Sequence, residues 1–299
     1  MREAIGIKPN SIKAWIMAFR PKTLFIAVAP VLVGSFLPAQ GLWNLDYVAM
    51  GFSLLTAVFL TMGANLINDA LDFKNGRDTK QRIGPTRATQ SGLLPYKAVL
   101  TGGLIALSLA ALCALPLIYK GGLFLALLTV VSLLAAYFYT GGPYPLAYQG
   151  LGELFVFTFY GLAATGVSYY LQTGRFDMTA LIGSIQIGLM ACVPISINNL
   201  RDIKEDRMTG KMTLSARFGP DFGRMEITTF LLIPFLLHFY WLFQGRYLSF
   251  ILPMTTLFMA INIVRCIYKH PPGKIYNRYL GESSLLMVLF ALLLLLGTL

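Results

Sequence analysis

The sequence predicts an all-α membrane protein of nine transmembrane helices, built as two four-helix pseudo-repeats plus one further helix around a central cavity. Three observations predict it. Apolar residues make up 56% of the 299-residue chain and charged residues only 12%, at a mean hydropathy of +0.66, whereas soluble chains carry roughly 25% charge. Apolar runs of about 20 residues, each able to cross a bilayer as a helix, recur from end to end. Two acid-bearing stretches follow two of those runs in matching register.

Taken in order, the expected spans are 17–37, 47–67, 97–118, 122–140, 151–172, 178–199, 226–244, 248–268 and 281–298. The first carries Arg20 and Lys22 near its start and Pro30 inside it. It reads as a retained span, because a cleavable signal would have a shorter apolar core and a small-residue cleavage site. Nine spans divide the basic residues unevenly. All but three of the 24 Lys and Arg fall on one side: in the N-terminal arm, near 68–97, in 200–225 and in 265–279. Only Lys120, Arg175 and Arg246 fall on the other. Basic loops stay in the cytoplasm, so the N-terminus is expected inside and the C-terminus outside, in a bacterial inner membrane. The net charge of +11 is mostly this bias and says nothing for nucleic acid. Cys113, Cys192 and Cys266 read as packing residues, and His238 and His270 have no partner in the sequence that would make a metal site.

The first acidic stretch is NLINDALDFKNGRD at 65–78 and the second is NNLRDIKEDRMTGKMT at 198–213. Shifted by 134 positions, Asn65 meets Asn199, Asn68 meets Asp202, Asp72 meets Asp206 and Gly76 meets Gly210. Arg77 then meets Lys211, and Thr79 meets Thr213. Four spans separate the copies, so both open on one face. The expected organisation is a single domain over 1–299, with pseudo-repeats at about 15–140 and 151–270. Cytoplasmic cap loops are expected at about 68–96 and 200–224, and repeats of this kind often place a site at their interface.

Positions three and four apart share a helix face. Asn65, Asn68 and Asp72 therefore form one column of oxygen ligands, and Asn198, Asp202 and Asp206 a second. Acids at a membrane helix end are costly unless paired or coordinating. Facing columns repel unless cations sit between them. Mg²⁺ suits them, because it takes oxygen ligands and completes its shell with water and phosphate oxygens. Arg77, Arg82, Arg87 and Lys211 lie just beyond the acids, with Arg20 and Lys22 at the mouth of the first span. Metal on one side and basic clamps on the other describe a polyphosphate site, and the surrounding helices suit an apolar tail. The residues point to a lipid diphosphate.

These motifs resemble the UbiA superfamily of intramembrane aromatic prenyltransferases. The family signatures N-D-x-x-D-x-x-x-D and D-x-x-x-D stand here as Asn68-Asp69-x-x-Asp72 and Asp202-x-x-x-Asp206. Gly76 replaces the fourth acid of the first signature, with Asp78 two residues later. RPKTL at 20–24, GRDTKQRIGPTRATQSGLL at 76–94, YTGGPYPLAYQGLGELFVF at 139–157 and NNLRDIKEDRMTGKMTLSARFG at 198–219 resemble the branch that prenylates 1,4-dihydroxy-2-naphthoate in menaquinone synthesis. The last 80 residues carry only a hydrophobic pattern.

The resemblance implies transfer of a polyprenyl group from its diphosphate to the naphthoate, with loss of carbon dioxide and diphosphate, giving a demethylmenaquinone. It implies two Mg²⁺ ions. Asn68, Asp72, Asp202 and Asp206 are the first choice for the metal set, with Asn65, Asp69 and Asn198 behind them. Asp69 lies about 100° round the helix from Asn68, a place from which it can orient a base or assist the acceptor. Arg20, Lys74, Arg82, Arg87 and Lys211 are candidates for the diphosphate. Asp78, Tyr139 and Glu153 are weaker candidates for acceptor or cation contacts, since aromatic faces stabilise cations. A charged, Gly- and Pro-containing segment at 73–95 is expected to form a lid. The rival readings are the same chemistry on 4-hydroxybenzoate or another aromatic acceptor, and a cation-coupled transporter. The transporter explains the spans and acids but not their position at cytoplasmic helix ends, since transporter sites sit near the midplane.

Overall fold

The computed structural model describes residues 7–38, 44–77 and 83–299, and within them all regular structure is helical. The chain enters through α1 (Ile12–Phe19) and α2 (Pro21–Phe36), bent by 48° at Arg20. It continues as α3 (Tyr47–Lys74), α4 (Tyr96–Phe138), α5 (Gly152–Thr173) and α6 (Met178–Arg201). The short helices α7 (Ile203–Met208) and α8 (Leu214–Phe218) follow. The chain closes with α9 (Pro220–Phe243), α10 (Tyr247–Lys269) and α11 (Tyr276–Thr298). Seven of these are long and apolar enough to cross a membrane, and eight if the bent α1–α2 pair counts as one span. The outward faces are apolar: Leu104, Leu112, Leu115, Leu123 and Leu127 are all exposed. So wide an apolar surface belongs against lipid, and the protein is a multi-pass membrane protein.

Local chemistry sets the helix ends. Asp46 caps α3 by accepting from the Ala49 N–H at 2.8 Å, and Asp177 caps α6 through Ala180 N–H at 3.2 Å. Such caps satisfy donors the first turn leaves orphaned. α4 has 43 residues, about 65 Å at 1.5 Å per residue and about twice the hydrocarbon thickness. It is interrupted at Gly122, whose φ of 65° and ψ of −152° are not helical, a conformation that glycine adopts without a Cβ penalty. The two arms fold back side by side. Leu100 and Leu107 of the first, and Leu133 and Tyr137 of the second, pack in one cluster with Ile67 and Leu71 of α3.

The largest core cluster joins α2, α5, α6 and the last three long helices, with Trp241, Tyr276, Phe290 and Met287 among its buried members. A smaller one clamps residues 88–94 against α1 and α3 through Ala88, Leu93, Leu94, Ala14, Ala18 and Leu66. The Asn10 N–H donates to Leu93 O at 2.9 Å. The segment expected as a lid is thus, over its described part, a packed cap. Within α5, Phe157–Val167 winds as a π-helix, a form that recurs at functional sites. It supplies one wall of the cavity described next.

Candidate active site

A cavity of about 490 Å³ opens among the helices, within the usual range for ligand sites. Its polar end is lined by Arg20, Asn65, Asn68, Asp72, Arg77, Arg87, Tyr139, Tyr148, Asn198, Asn199, Asp202, Asp206 and Lys211. Its apolar length runs down α3 as far as Ser53, about 28 Å from Asp72 at helical rise. Ala110, Ala114, Phe155, Phe159 and Ala163 flank it. Leu117 and Leu125 line its far end, where they pack in one cluster with Ala49 and Leu171. One polar pair crosses the wall midway, Tyr160 Oη and Thr61 Oγ1 at 3.2 Å.

The first acidic copy lies on unbroken α3. Asn65 Nδ2 donates to Thr23 Oγ1 at 2.8 Å and to Phe19 O at 3.2 Å. Asn68 accepts from Arg20 Nη2 at 3.2 Å and donates to Thr140 Oγ1 at 2.8 Å. Asp72 accepts from the Tyr148 hydroxyl and pairs with Arg87 at 3.4 Å. Arg20 holds a left-handed backbone, φ 54°, uncommon for a residue with a Cβ; this bend turns its side chain toward Asn68. Asp69 faces away from the column and does not line the cavity. Its two oxygens accept from the Ala88 and Thr89 N–H groups at 3.0 and 3.2 Å, so it fixes the turn next to Arg87.

The second copy is broken. α6 ends at Arg201, Asp202 takes φ −94° and ψ 10°, and α7 restarts at Ile203. Asp202 is held by Arg201 through Nε and Nη2 at 2.7 and 2.6 Å. Asp206 pairs with Lys211 at 3.4 Å and accepts from Thr213 Oγ1 at 3.3 Å. Burial pushes the Asp206 carboxyl up to about 6; Lys211 opposes the shift and Asp202 adds to it.

The two copies end alike. The Arg77 N–H donates to Asp72 O at 2.9 Å and the Lys211 N–H donates to Asp206 O at 2.8 Å. Gly76 (φ 67°) and Gly210 (φ 71°) make both turns, the left-handed closure that glycine favours after a helix. This is the physical content of the shared G-[R/K]. Tyr148 links the copies: its hydroxyl is on Asp72, its ring lies 3.7 Å beneath the Arg77 guanidinium, and its carbonyl accepts from the Met212 N–H at 3.0 Å.

The remaining candidates are elsewhere. Lys74 sits 6.0 Å over the Tyr96 ring and does not line the cavity. Glu153 is buried outside the lining, where it accepts from Asn199 Nδ2 at 2.7 Å. Asp78 and Arg82 lie outside the described residues. Sequence reasoning missed Arg201, whose charge had been read only as topology. It also missed Asn277 at the start of α11 and the α11 lining residues Leu280 and Ser284; no motif marked that helix. Tyr148 lies inside the 139–157 stretch that carries the resemblance, but nothing in that stretch set it apart.

The oxygen-rich donor set fits Mg²⁺. Among the described residues, no three carboxylate, His or Cys side chains converge on one point. Mg²⁺ sites characteristically use one or two carboxylates plus substrate phosphates and water, which matches a first column that lines the cavity with one carboxylate, Asp72, and a second that lines it with two, Asp202 and Asp206.

The UbiA prenyltransferase family model matches residues 27–286. A 1,4-dihydroxy-2-naphthoate octaprenyltransferase of Haemophilus influenzae is 37% identical over 227 residues, covering 72% of each chain. The protein of the same name from Mycobacterium tuberculosis is 36% identical over 218 residues, covering 72% of this chain and 73% of its own. Among solved structures, a UbiA homolog from Archaeoglobus fulgidus bound to DMAPP and Mg²⁺ superposes with a TM-score of 0.62 at 15% identity. That match covers 94% of this chain and 98% of that one.

Proposed function

Because the chain belongs to the UbiA prenyltransferase family, we propose that its reaction is the one named for its bacterial relatives. It transfers a polyprenyl group from polyprenyl diphosphate to 1,4-dihydroxy-2-naphthoate, in menaquinone biosynthesis. The observation that carries this reading is the cavity itself: acids and bases gathered at one end of a long apolar groove, the shape of a lipid diphosphate.

Asn68, Asp72, Asp202 and Asp206, with Asn65 and Asn198 beside them, would hold Mg²⁺, two ions in all. Bound there, Mg²⁺ neutralises diphosphate charge and makes it a better leaving group. Arg20, Arg87 and Lys211 clamp the diphosphate. The allylic C–O bond breaks and its electron pair leaves with the diphosphate. Tyr139 and Tyr148, both in the lining, present aromatic rings to the positive allylic carbon. The ring carbon of the naphthoate bearing the carboxylate attacks that carbon. The carboxylate then departs as carbon dioxide and its bonding pair restores the aromatic ring, so the immediate product is the reduced, quinol form of the demethylmenaquinone and no protein nucleophile is required. Asp69 acts through the turn at 88–89 within the packed cap, which keeps water from the cation.

The topology extends the same reading. The two arms of α4 are two spans, so nine helices cross an inner membrane, with the N-terminus and the polar end of the cavity in the cytoplasm. The halves at about 15–140 and 151–270 form the pseudo-repeat, and the chain is one domain. The test is an assay of purified protein with a polyprenyl diphosphate and either 1,4-dihydroxy-2-naphthoate or 4-hydroxybenzoate, in Mg²⁺ or EDTA. Mg²⁺-dependent prenylation of the naphthoate with release of carbon dioxide is expected. Transfer to the benzoate alone would overturn the acceptor.

A further inference from the structure

Arg201 is 2% exposed and is absent from the cavity lining, so it cannot meet a diphosphate. Its guanidinium is nonetheless heavily engaged. Nε and Nη2 grip both oxygens of Asp202 at 2.7 and 2.6 Å. Nη2 also donates to Asn198 Oδ1 at 2.6 Å, and Nη1 donates to Asn277 Oδ1 at 2.6 Å. Asn277 in turn donates through Nδ2 to the Ile83 carbonyl at 3.1 Å. One side chain thus ties together two oxygen ligands of the second copy, the first turn of α11 and the start of the 83–95 cap.

Adjacent residues on a helix point about 100° apart and do not face each other. The fork from Arg201 to its neighbour Asp202 is made by the long guanidinium side chain reaching round to the junction of α6 and α7. Asp202 stays in the cavity wall while both its oxygens are held. A carboxylate has about four lone-pair sites and the fork uses two, so both oxygens keep a site for a cation.

We propose that Arg201 is a positioning residue: it fixes Asp202 and Asn198 for the metal, and through Asn277 it couples that geometry to the cap over the site. This rests on the metal reading above. Partners behind a ligating carboxylate are worth about 10–100-fold in metal affinity. The two ends of the chain of contacts should respond together, because they share one guanidinium.

The test uses full-length protein in detergent, Mn²⁺ as the probe in the presence of inorganic diphosphate, and two variants. Asn277→Ala cuts the link to the cap and leaves every charge in place. Arg201→Lys keeps the charge and loses the fork. Mn²⁺ binding is read by electron paramagnetic resonance and the cap by amide hydrogen exchange over 83–95, neither of which needs turnover. The expected result is Mn²⁺ binding weakened about tenfold together with faster exchange of the cap in Asn277→Ala, with at least as large a loss of binding in Arg201→Lys. Unchanged Mn²⁺ binding in a folded Asn277→Ala protein overturns the coupling, whatever the cap does. Failure of the wild type to bind Mn²⁺ overturns the metal reading and this inference with it, so the two failures are distinguishable.

Discussion

The two acid-bearing helix ends share a spacing but not a backbone. In the first, α3 runs unbroken through Asn65, Asn68 and Asp72. In the second, the helix stops before Asp202 and restarts after it. The first copy has neutral Asn68 where the second has Asp202, and apolar Ile67 where the second has Arg201. The second copy thus holds a buried charge and its countercharge side by side. The first copy places its extra acid, Asp69, on the opposite side, where backbone N–H groups receive it. A buried carboxylate must be matched by donors or cations, and each copy matches its own in a different way.

Four experiments break or sharpen this comparison. The largest effect is expected from removing the acids the copies share. Asp72→Ala and Asp206→Ala should each lower kcat/KM at least 100-fold in protein that still folds; near-normal turnover by either would end the metal assignment. Next comes the acid they do not share. Asp202→Asn strands the Arg201 charge and should cost about 3–5 kcal/mol of stability, read as a lower Tm. Asn68→Ala should cost about 1 kcal/mol. Equal shifts would erase the distinction. Adding Arg201→Met to Asp202→Asn should restore most of the stability and none of the activity. Third, Tyr148→Phe removes the hydroxyl from Asp72 but keeps the ring beneath Arg77. It should lower kcat about tenfold, and an unchanged kcat would leave Tyr148 with a structural part only.

The smallest effect is in pH. Asp206 is raised to about 6 from 3.8. On the proposed metal assignment Mg²⁺ would have to displace its proton, so metal affinity should fall as pH drops through about 6, measured by titration calorimetry between pH 5 and 8. Stability of the metal-free protein has the opposite sign. The folded state binds more protons than the unfolded state between those two values, so stability falls as pH rises through that window and is level above it. Asp206→Asn should flatten both curves.

Much of this site was legible because it is local. Helical spacing put Asn68 and Asp72 in the cavity, and the shared glycines marked true left-handed helix ends at 76 and 210. The 100° offset that separated Asp69 from the column matches its orientation toward the 88–89 turn. The all-helical class and the membrane character followed from composition and from the recurring apolar runs. What was not legible depends on packing between distant segments. Nothing near Asn277 shows that it will meet Arg201, 76 positions earlier. Arg201 itself looked like one more cytoplasmic cation, because the helix break beside it leaves no mark in the spacing.

The reversal at Gly122 has a consequence for the far end of the molecule. Both arms of α4 return to the polar end of the cavity. One begins at Tyr96, just after the cap that carries Arg87, and the other ends beside Tyr139, before the segment that carries Tyr148. Adding a single residue to the second arm would rotate everything beyond it by about 100° and lift it by 1.5 Å. Tyr139 would then leave the cavity wall and Tyr148 would lose Asp72. A turn at the far end of the molecule, made by Gly121 and Gly122 outside the cavity lining, therefore sets the phase in which one aromatic wall of the site is delivered.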